Sequence, residues 1–236
     1  VSPSSSIESV GGFDANRAAK ERLEELGFRV SYSKHYFESD VLDSASIQSR
    51  VEDLHEAFLD STVDVILATI GGFNSNELLP YLDYNLIAKY PKIICGYSDT
   101  TAILNAIYAK TGMLTYMGPS YTSFKMKELQ EYQTAEEYAF FIEKSEDGDY
   151  FEFDRNFAAL LQAYPNPKAV LIGRFPKECR MKEELLLYIL DKYPVLKQIP
   201  VMYDLDFAHT QPLFTITIGA KVTVDTEEMS IRIDEE

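Results

Sequence analysis

The sequence is poor in positive charge and in cysteine, and it has no long apolar run. Acidic residues outnumber basic ones 38 to 22, which gives a formal net charge of −16 over 236 residues. An excess of this sign repels nucleic acid and anionic membrane surfaces, so neither is an expected partner. The longest candidate for a membrane span, residues 63–70, is much shorter than the roughly 20 residues that a membrane-spanning helix needs. These absences predict a soluble globular protein.

The two cysteines, Cys95 and Cys179, lie far apart in the sequence without a CxxC motif or a histidine cluster beside them. This spacing predicts neither a disulfide framework nor a zinc site. A reducing compartment fits such cysteine usage, so we expect a cytoplasmic protein that needs no metal and no other cofactor.

The first half of the chain alternates short apolar runs with helical patterns, which is typical of a parallel sheet flanked by helices. Strands are predicted over residues 28–33, 63–70, 92–97 and 113–117. Helices are predicted over residues 14–26, 47–60, from about 76, and over 99–111. Asp14 is the predicted N-cap of the first helix, and Gly27 and Gly112 are predicted left-handed stops. Val1 and the two residues after it resemble the end of a further strand.

A polar stretch over residues 120–138 has only a loose helical period and indicates a domain boundary. We therefore predict an N-terminal domain over residues 1–125 and a C-terminal domain over residues 126–236. The second domain is predicted to contain a strand ending at Ile142, helices over 154–164 and 182–193, and strands over 169–175 and 201–207. Alternation over residues 213–224 and 229–233 predicts antiparallel strands.

Ser98 directly follows a predicted strand and precedes a predicted helix, at the sheet edge where active sites of parallel sheets gather. This context and Gly96 are typical of a nucleophile elbow, in which the Asp99 amide and the helix N-terminus could stabilise an oxyanion. Thr100 stands where the second glycine of the GxSxG motif would be. On local sequence alone, Ser98 or Asp99 serving only as a helix cap is the simpler interpretation.

Gly71 and Gly72 end the preceding strand and lead through Asn74 into a predicted helix. Free amides at such a turn can bind an anion, so Gly72 is a candidate oxyanion donor and Asn74 a candidate substrate-binding residue. An ordinary glycine turn with an asparagine cap explains the same pattern.

His209 follows the predicted strand over residues 201–207, again at a carboxyl end, where a catalytic base would lie. A triad also needs an acid that orients the imidazole. The residues alone leave six candidates: Glu143, Glu146, Asp147, Asp149, Asp204 and Asp206.

Two long motifs, residues 71–84 (GGFNSNELLPYLDY) and 91–99 (PKIICGYSD), resemble the LD-carboxypeptidase family of serine peptidases. Shorter matches continue the resemblance in the same order at residues 115–119, 172–175, 199–201 and 206–210. The Asn-Ser-Asn version of the first motif is similar to the microcin C immunity protein (MccF) branch of that family.

The resemblance implies a doubly wound, flavodoxin-like N-terminal domain and a smaller β-rich C-terminal domain. It also implies a Ser-Glu-His triad in this chain order, with Ser98 as nucleophile, His209 as base and Glu143 as acid. The expected substrate is a murein peptide or a peptidyl or aminoacyl nucleotide, and the expected assembly is a homodimer.

Family members carry a longer segment between the positions of Pro119 and Glu143, including part of the substrate cleft. A shortened, inactive family member is therefore one alternative. A non-catalytic flavodoxin-like module that holds a flavin at residues 2–6 is another.

Overall fold

The computed structural model describes residues 1–125, 140–142, 149–163, 165, 167–207 and 215–234. These residues form two compact units: the first contains residues 1–125 and 215–219, and the second contains the described residues between 140 and 207 together with residues 220–234. Among the helices that the structure describes, none is long and apolar enough to cross a membrane.

The first unit is built on a four-stranded sheet with the strand order β1-β2-β3-β7. Strands β1, β2 and β3 run parallel, and β7 pairs with β3 in the antiparallel direction. Val1 lies beside β1, since its amino group donates to Leu67 O at 3.1 Å and its carbonyl accepts from the Thr69 amide at 2.8 Å. The strands are β1 (Val65–Leu67), β2 (Ile93–Gly96), β3 (Thr115–Met117) and β7 (Ile216–Ile218).

In the part of this unit that the structure describes, five α-helices accompany the sheet: α1 (Gly12–Ala15), α2 (Arg17–Glu25), α3 (Ile47–Leu59), α4 (Tyr84–Lys89) and α5 (Thr101–Thr111). The predicted α3 and α5 are confirmed almost to the residue. Gly27 and Gly112 adopt φ of 93° and 73°, so the predicted left-handed stops are also confirmed. The helix expected from about residue 76 is instead a 3-10 turn, Ser75–Leu78, followed by α4.

Two predictions for the N-terminal region are wrong. The first helix is broken at Asn16, and Asp14 lies inside α1 instead of capping it. Residues 28–33 form no strand, because they find no partner ladder; three of the six are solvent-exposed and the other three are partly buried. Alternating apolar and polar residues give a segment that is able to form a strand. The strand forms only where a neighbouring strand offers a free edge for hydrogen bonding.

The second unit contains a parallel three-stranded sheet with the order β4-β5-β6 and an antiparallel hairpin of β8 and β9. Helices α6 and α7 contribute to one apolar core cluster with β5. The elements are β4 (Phe140–Ile142), α6 (Tyr150–Ala163), β5 (Val170–Gly173), α7 (Glu183–Asp191), β6 (Val201–Leu205), β8 (Lys221–Asp225) and β9 (Ser230–Asp234).

The predicted antiparallel run over residues 213–224 is two strands that belong to different units. Gly219, with φ of 102°, separates β7 from β8. Because β7 pairs with β3, residues 215–219 lie with the first unit, although the predicted division placed them in the second.

Candidate active site

Ser98 lies at the sharp turn that connects β2 to α5. Strand β2 ends at Gly96, a 3-10 turn covers Ser98–Thr100, and α5 begins at Thr101. Ser98 itself has φ of 60°, a left-handed conformation that is uncommon for a residue with a side chain. The predicted strand-turn-helix geometry is therefore confirmed, and the structure adds the strained backbone typical of a nucleophile elbow.

Thr100, at the second glycine position of the motif, is buried at 1% exposure. A Cβ on Gly96 would lie 3.0 Å from Thr100 Cγ2 and 2.8 Å from Ala68 Cβ. Glycine is thus needed at position 96 to make room for the threonine side chain. Thr100 can therefore replace the second glycine of GxSxG, because its side chain packs into the space beside Gly96.

Gly71 lies directly against Ser98. A Cβ on Gly71 would lie 2.9 Å from Ser98 Cβ, 3.0 Å from Ser98 Oγ and 3.6 Å from the Asp99 nitrogen. The loop after β1 therefore borders both the serine hydroxyl and the amide that follows it. No side chain larger than hydrogen fits at position 71 without moving Ser98.

Asp99 ties the turn after β2 to the loop after β1. Its Oδ2 accepts hydrogen bonds from the Ser75 amide at 2.8 Å and from the Ser4 hydroxyl. In return, Ser75 Oγ donates to the Asp99 carbonyl oxygen at 2.6 Å. These contacts connect the loop and the turn through both backbone and side chain.

Residues 71–74, which follow β1, form the glycine loop. Its two predicted binding residues, Gly72 and Asn74, are both closely packed within the first unit. Asn74 Oδ1 accepts from Arg50 at 3.0 Å, and Asn74 Nδ2 donates to Ser44 Oγ at 2.8 Å. A Cβ on Gly72, which has φ of 157°, would lie 2.3 Å from Ser4 Oγ. Direct contact of either residue with a substrate stays a prediction.

Two of the three histidines have structural partners. His35 Nδ1 lies 2.8 Å from Asp53 Oδ1, and His55 Nε2 accepts a hydrogen bond from the Asp83 amide at 2.9 Å. Burial lowers the pKa of His55, which favours the neutral ring that accepts this bond. His209 and Glu143, the predicted base and acid, lie outside the described residues.

Cys95, expected from its sequence position to be a small core residue, is partly buried in β2. Its Sγ donates to Pro119 O at 3.6 Å, and burial raises the pKa of the thiol to about 12. A protonated thiol is a poor nucleophile at neutral pH.

The serine-rich loop over residues 2–6 turns three hydroxyls into the protein. Ser2 Oγ pairs with Thr69 Oγ1 at 2.9 Å, Ser4 Oγ donates to Asp99, and Ser6 Oγ accepts from the Glu8 amide at 3.4 Å. Each of these hydroxyls therefore contributes to the structure of the first unit, and the loop does not have the open form of a phosphate cradle. Within the described ranges, no group of three or more His, Cys, Asp or Glu side chains is arranged to hold a metal ion.

Four residues hold this site together but were not among the site residues predicted from the sequence: Ser4, Arg50, Gly71 as the neighbour of Ser98, and Ser75. One signal was available for Arg50, which lies one turn before Leu54 on the buried face of α3. A charged side chain on a buried helical face indicates a specific partner. No local pattern could have paired Ser75 with Asp99.

Two family models cover almost the whole chain. The LD-carboxypeptidase N-terminal domain matches residues 1–118, and the LD-carboxypeptidase C-terminal domain matches residues 118–224. The chain belongs to the LD-carboxypeptidase family. This is a family of carboxypeptidases, which confirms the resemblance seen in the motifs.

Similar proteins include both carboxypeptidases and immunity proteins. A relative from Bacillus subtilis, the proposed carboxypeptidase YocD, is 33% identical over 99% of this chain and 94% of its own length. That alignment spans 309 positions, so at least 73 of them have no residue in this chain of 236. This agrees with the expectation that relatives are longer within the aligned region.

Solved structures show the same fold. An MccF-like protein from Bacillus anthracis matches with a TM-score of 0.89 at 32% identity, over 100% of this chain and 95% of its own. The Escherichia coli microcin C7 self-immunity protein MccF is 28% identical over 92% of this chain and 87% of its length. A structure of MccF in complex with glutamyl sulfamoyl guanosine has a TM-score of 0.83 at 25% identity, over 100% and 94% of the two chains. The predicted α/β class, with a parallel sheet and a separate smaller β-rich part, is confirmed.

Proposed function

We propose that this LD-carboxypeptidase family member is a serine peptidase with Ser98 as its nucleophile. The observation that carries the proposal is the φ of 60° at Ser98, between the carboxyl end of β2 and the N-terminus of α5. Strained backbone at such a position is characteristic of residues whose side chain must be presented to a substrate.

In the proposed reaction, His209 accepts the hydroxyl proton as Ser98 Oγ attacks the carbonyl carbon of the scissile amide. The Asp99 and Gly72 amides stabilise the oxyanion, and Glu143 orients the imidazole. His209 then gives its proton to the leaving nitrogen, and an acyl ester remains on Ser98. Water, deprotonated by the same histidine, hydrolyses the ester and regenerates the enzyme. No step requires a metal or another cofactor.

The oxyanion assignment is supported by the packing of the two loops. The Asp99 nitrogen lies 3.6 Å from the point where a Gly71 Cβ would be, so this amide, Gly71 and Ser98 are immediate neighbours. Helix α5 also places the positive end of its dipole at this turn. Both features favour negative charge beside Ser98.

The choice of His209 is supported by the roles of the other histidines. His35 pairs with Asp53 and His55 accepts from the Asp83 amide, so both already have structural partners. Glu143 is chosen because it matches the family setting of a glutamate between an apolar strand and an acidic loop, and β4 ends at Ile142.

We propose an aminoacyl or peptidyl nucleotide as the substrate, with a murein tetrapeptide that loses its terminal D-alanine as the alternative. The Asn-Ser-Asn motif supports the first, as do the MccF structures, one of which contains glutamyl sulfamoyl guanosine and another aspartyl sulfamoyl adenosine. Both substrate classes place an amide next to a residue that carries a carboxylate.

A fluorophosphonate probe tests the nucleophile without knowledge of the substrate. The intact mass of the wild-type protein should rise by one phosphonyl group, located on the peptide that contains Ser98. Ser98→Ala should remain unlabelled, and its hydrolysis of glutamyl sulfamoyl guanosine or of the tetrapeptide should fall by roughly a million-fold. Full hydrolysis by purified Ser98→Ala protein would refute the proposal.

Glu143→Gln tests the acid, because glutamine replaces a charged acceptor with an amide that can present the wrong group to His209. We expect a large loss of kcat/KM. Glu146→Gln and Asp147→Asn are the controls, and each should cost little if these residues contribute only screened charge. Equal small losses at all three positions would argue against a specific role for Glu143.

We further propose that the protein is a cytoplasmic homodimer. Light scattering after size-exclusion chromatography should give twice the chain mass of 26.9 kDa. A monomer at micromolar concentration would remove this part of the proposal.

A further inference from the structure

A single buried guanidinium lies beneath the glycine loop of the candidate site. Arg50 is 2% exposed and extends from α3 to two other segments. Its Nη1 donates to Pro3 O at 3.3 Å, to Asn74 O at 3.2 Å and to Asn74 Oδ1 at 3.0 Å, and its Nη2 donates to Glu77 Oε2 at 2.8 Å. One side chain thus joins α3, the N-terminal loop and the loop after β1.

The energetics of Arg50 point to a role other than stability. A buried charge costs several kcal/mol unless it is well paired. The paired carboxylate here, Glu77, is 42% exposed, so solvent weakens the attraction. The other three contacts are neutral oxygens of Pro3 and Asn74. An apolar side chain on this buried face of α3 would avoid the desolvation cost, but it could not hold Asn74.

The contacts of Asn74 continue to the nucleophile turn. Arg50 holds both the carbonyl and the side chain of Asn74, and Ser44 accepts from the other end of the amide. The next residue, Ser75, makes two hydrogen bonds to Asp99, which follows Ser98. At the other end of the loop, Gly71 lies against Ser98 itself. Displacing Asn74 would therefore move groups on two sides of the nucleophile.

We propose that Arg50 is a positioning residue that sets the distance between the glycine loop and Ser98. It acts through Asn74 and touches neither the substrate nor the reacting atoms. The inference rests on the proposed function, because it concerns the geometry around the same nucleophile. Displacements of about 1 Å at a reacting centre can reduce a rate by about 100-fold.

Arg50→Met and Arg50→Lys test the role, with the fluorophosphonate as the reactive probe. For each variant, the limiting labelling rate and the half-saturating probe concentration are measured well below its melting temperature and are referred to folded protein. Arg50→Met should lower the limiting rate by roughly 10- to 100-fold and change half-saturation by less than about threefold. Arg50→Lys should recover part of the rate, because an ammonium group can still donate to an oxygen of Asn74.

Glu77→Gln is the matched control. It removes the charge from the ion pair but leaves all three Nη1 contacts, so its limiting rate should stay within about twofold of wild type. A merely structural Arg50 would lower the melting temperature and leave the rate of the folded molecules unchanged. That result, or a Glu77→Gln loss as large as that of Arg50→Met, would overturn the proposal.

If Arg50→Met does not fold, Arg50→Lys and Asn74→Ala, alone and combined, provide the answer. If the double variant loses little more of the limiting rate than the more impaired single variant, Arg50 acts through Asn74. If the double variant shows the full combined loss of both single variants, the proposal is overturned. The two proposals fail differently. Without a reactive Ser98, the wild-type protein is itself unlabelled, whereas without a role for Arg50 the wild type and Arg50→Met label equally fast.

Discussion

The buried side chains of the two units differ in kind. In the described residues, every buried polar or charged side chain belongs to the first unit, whereas the buried side chains of the second unit are apolar. Around the nucleophile turn, Ser4, Ser75 and Arg50 are all buried and all hydrogen-bonded. In the second unit, Phe153 and Phe157 stack at 5.5 Å between ring centroids within an apolar cluster.

Apolar burial and buried hydrogen bonds contribute differently to a protein. Burial of apolar surface stabilises a fold without prescribing one geometry closely, whereas a hydrogen bond requires a donor and an acceptor at one distance and angle. The comparison therefore indicates that substitutions in the second unit's core affect mainly stability. Substitutions in the polar contacts of the first unit should affect mainly the reactivity of Ser98.

Phe157→Ala should have the largest effect on stability. Phe157 is 1% exposed in the core of the second unit, and its loss should lower the free energy of unfolding by about 3–5 kcal/mol. Urea titration measures this value, and fluorophosphonate labelling of the remaining folded protein should proceed at nearly the wild-type rate. Phe151→Ala, in the same helix but 68% exposed, should change stability by less than about 0.5 kcal/mol. Strongly slowed labelling of folded Phe157→Ala protein would show that the apolar core of the second unit also controls the reactivity of Ser98.

Gly71→Ala should have the largest effect on reactivity. The new methyl group would lie 2.9 Å from Ser98 Cβ, so the nucleophile must move, and labelling should slow by roughly 100-fold. Gly27→Ala is the control, because a Cβ there meets nothing within 4 Å although φ is 93°. We expect it to cost about 1 kcal/mol of stability and no reactivity. Equal labelling rates for both variants would contradict the role of Gly71 beside Ser98.

Ser75→Ala should have an intermediate effect. It removes the hydroxyl that donates to Asp99 O at 2.6 Å. The hydrogen bond from the Ser75 backbone amide to Asp99 Oδ2 stays in place. Labelling should slow by about tenfold, and stability should fall by about 1 kcal/mol. Ser9→Ala loses a similar bond, from Oγ to Ser6 O at 2.7 Å, at an exposed position. A loss of reactivity in the Ser9 variant as large as that in Ser75→Ala would show that the effect is not specific to the turn.

The smallest expected effect is on the pH dependence of stability. Burial lowers the pKa of His55 in the folded state, so folding favours the neutral ring. This contribution is present above the unfolded value of about 6.5 and is lost as the pH falls below it. Urea titrations at two pH values, about 7.5 and about 5.5, should show a larger loss for wild type than for His55→Gln. Equal losses would exclude His55 as a source of acid sensitivity in the first unit.

Elements that depend on local chemistry were predictable from the sequence. Helices α3 and α5 follow from apolar spacing, and the stops at Gly27 and Gly112 follow from the ease with which glycine adopts positive φ. The strand-turn-helix at Ser98 was also predictable, because an apolar strand, a short turn and an amphipathic helix are each encoded by adjacent residues. Family motifs added the expected role of the serine.

Elements that depend on distant partners were not predictable. Residues 28–33 have a strand pattern but no strand, because a ladder requires an edge that another part of the chain must supply. Residues 215–219 join the first unit only because β3 offers such an edge to β7. In both cases, the alternating pattern gave a segment that could form a strand, and the tertiary structure decided whether and with which strand it paired.

The sequence by itself determined the α/β class, the position of Ser98 at a strand end and the family to which the chain belongs, because these depend on residues close together in the chain. Only the tertiary structure decided what surrounds Ser98. Gly71 lies 27 positions before it, and Arg50 lies 24 positions before Asn74. Hydrogen bonds and close packing act over about 3–4 Å in space, so local sequence can indicate that a buried charge such as Arg50 has a partner but not which residue the partner is. The contacts that hold the nucleophile turn could therefore be identified only after the chain had folded.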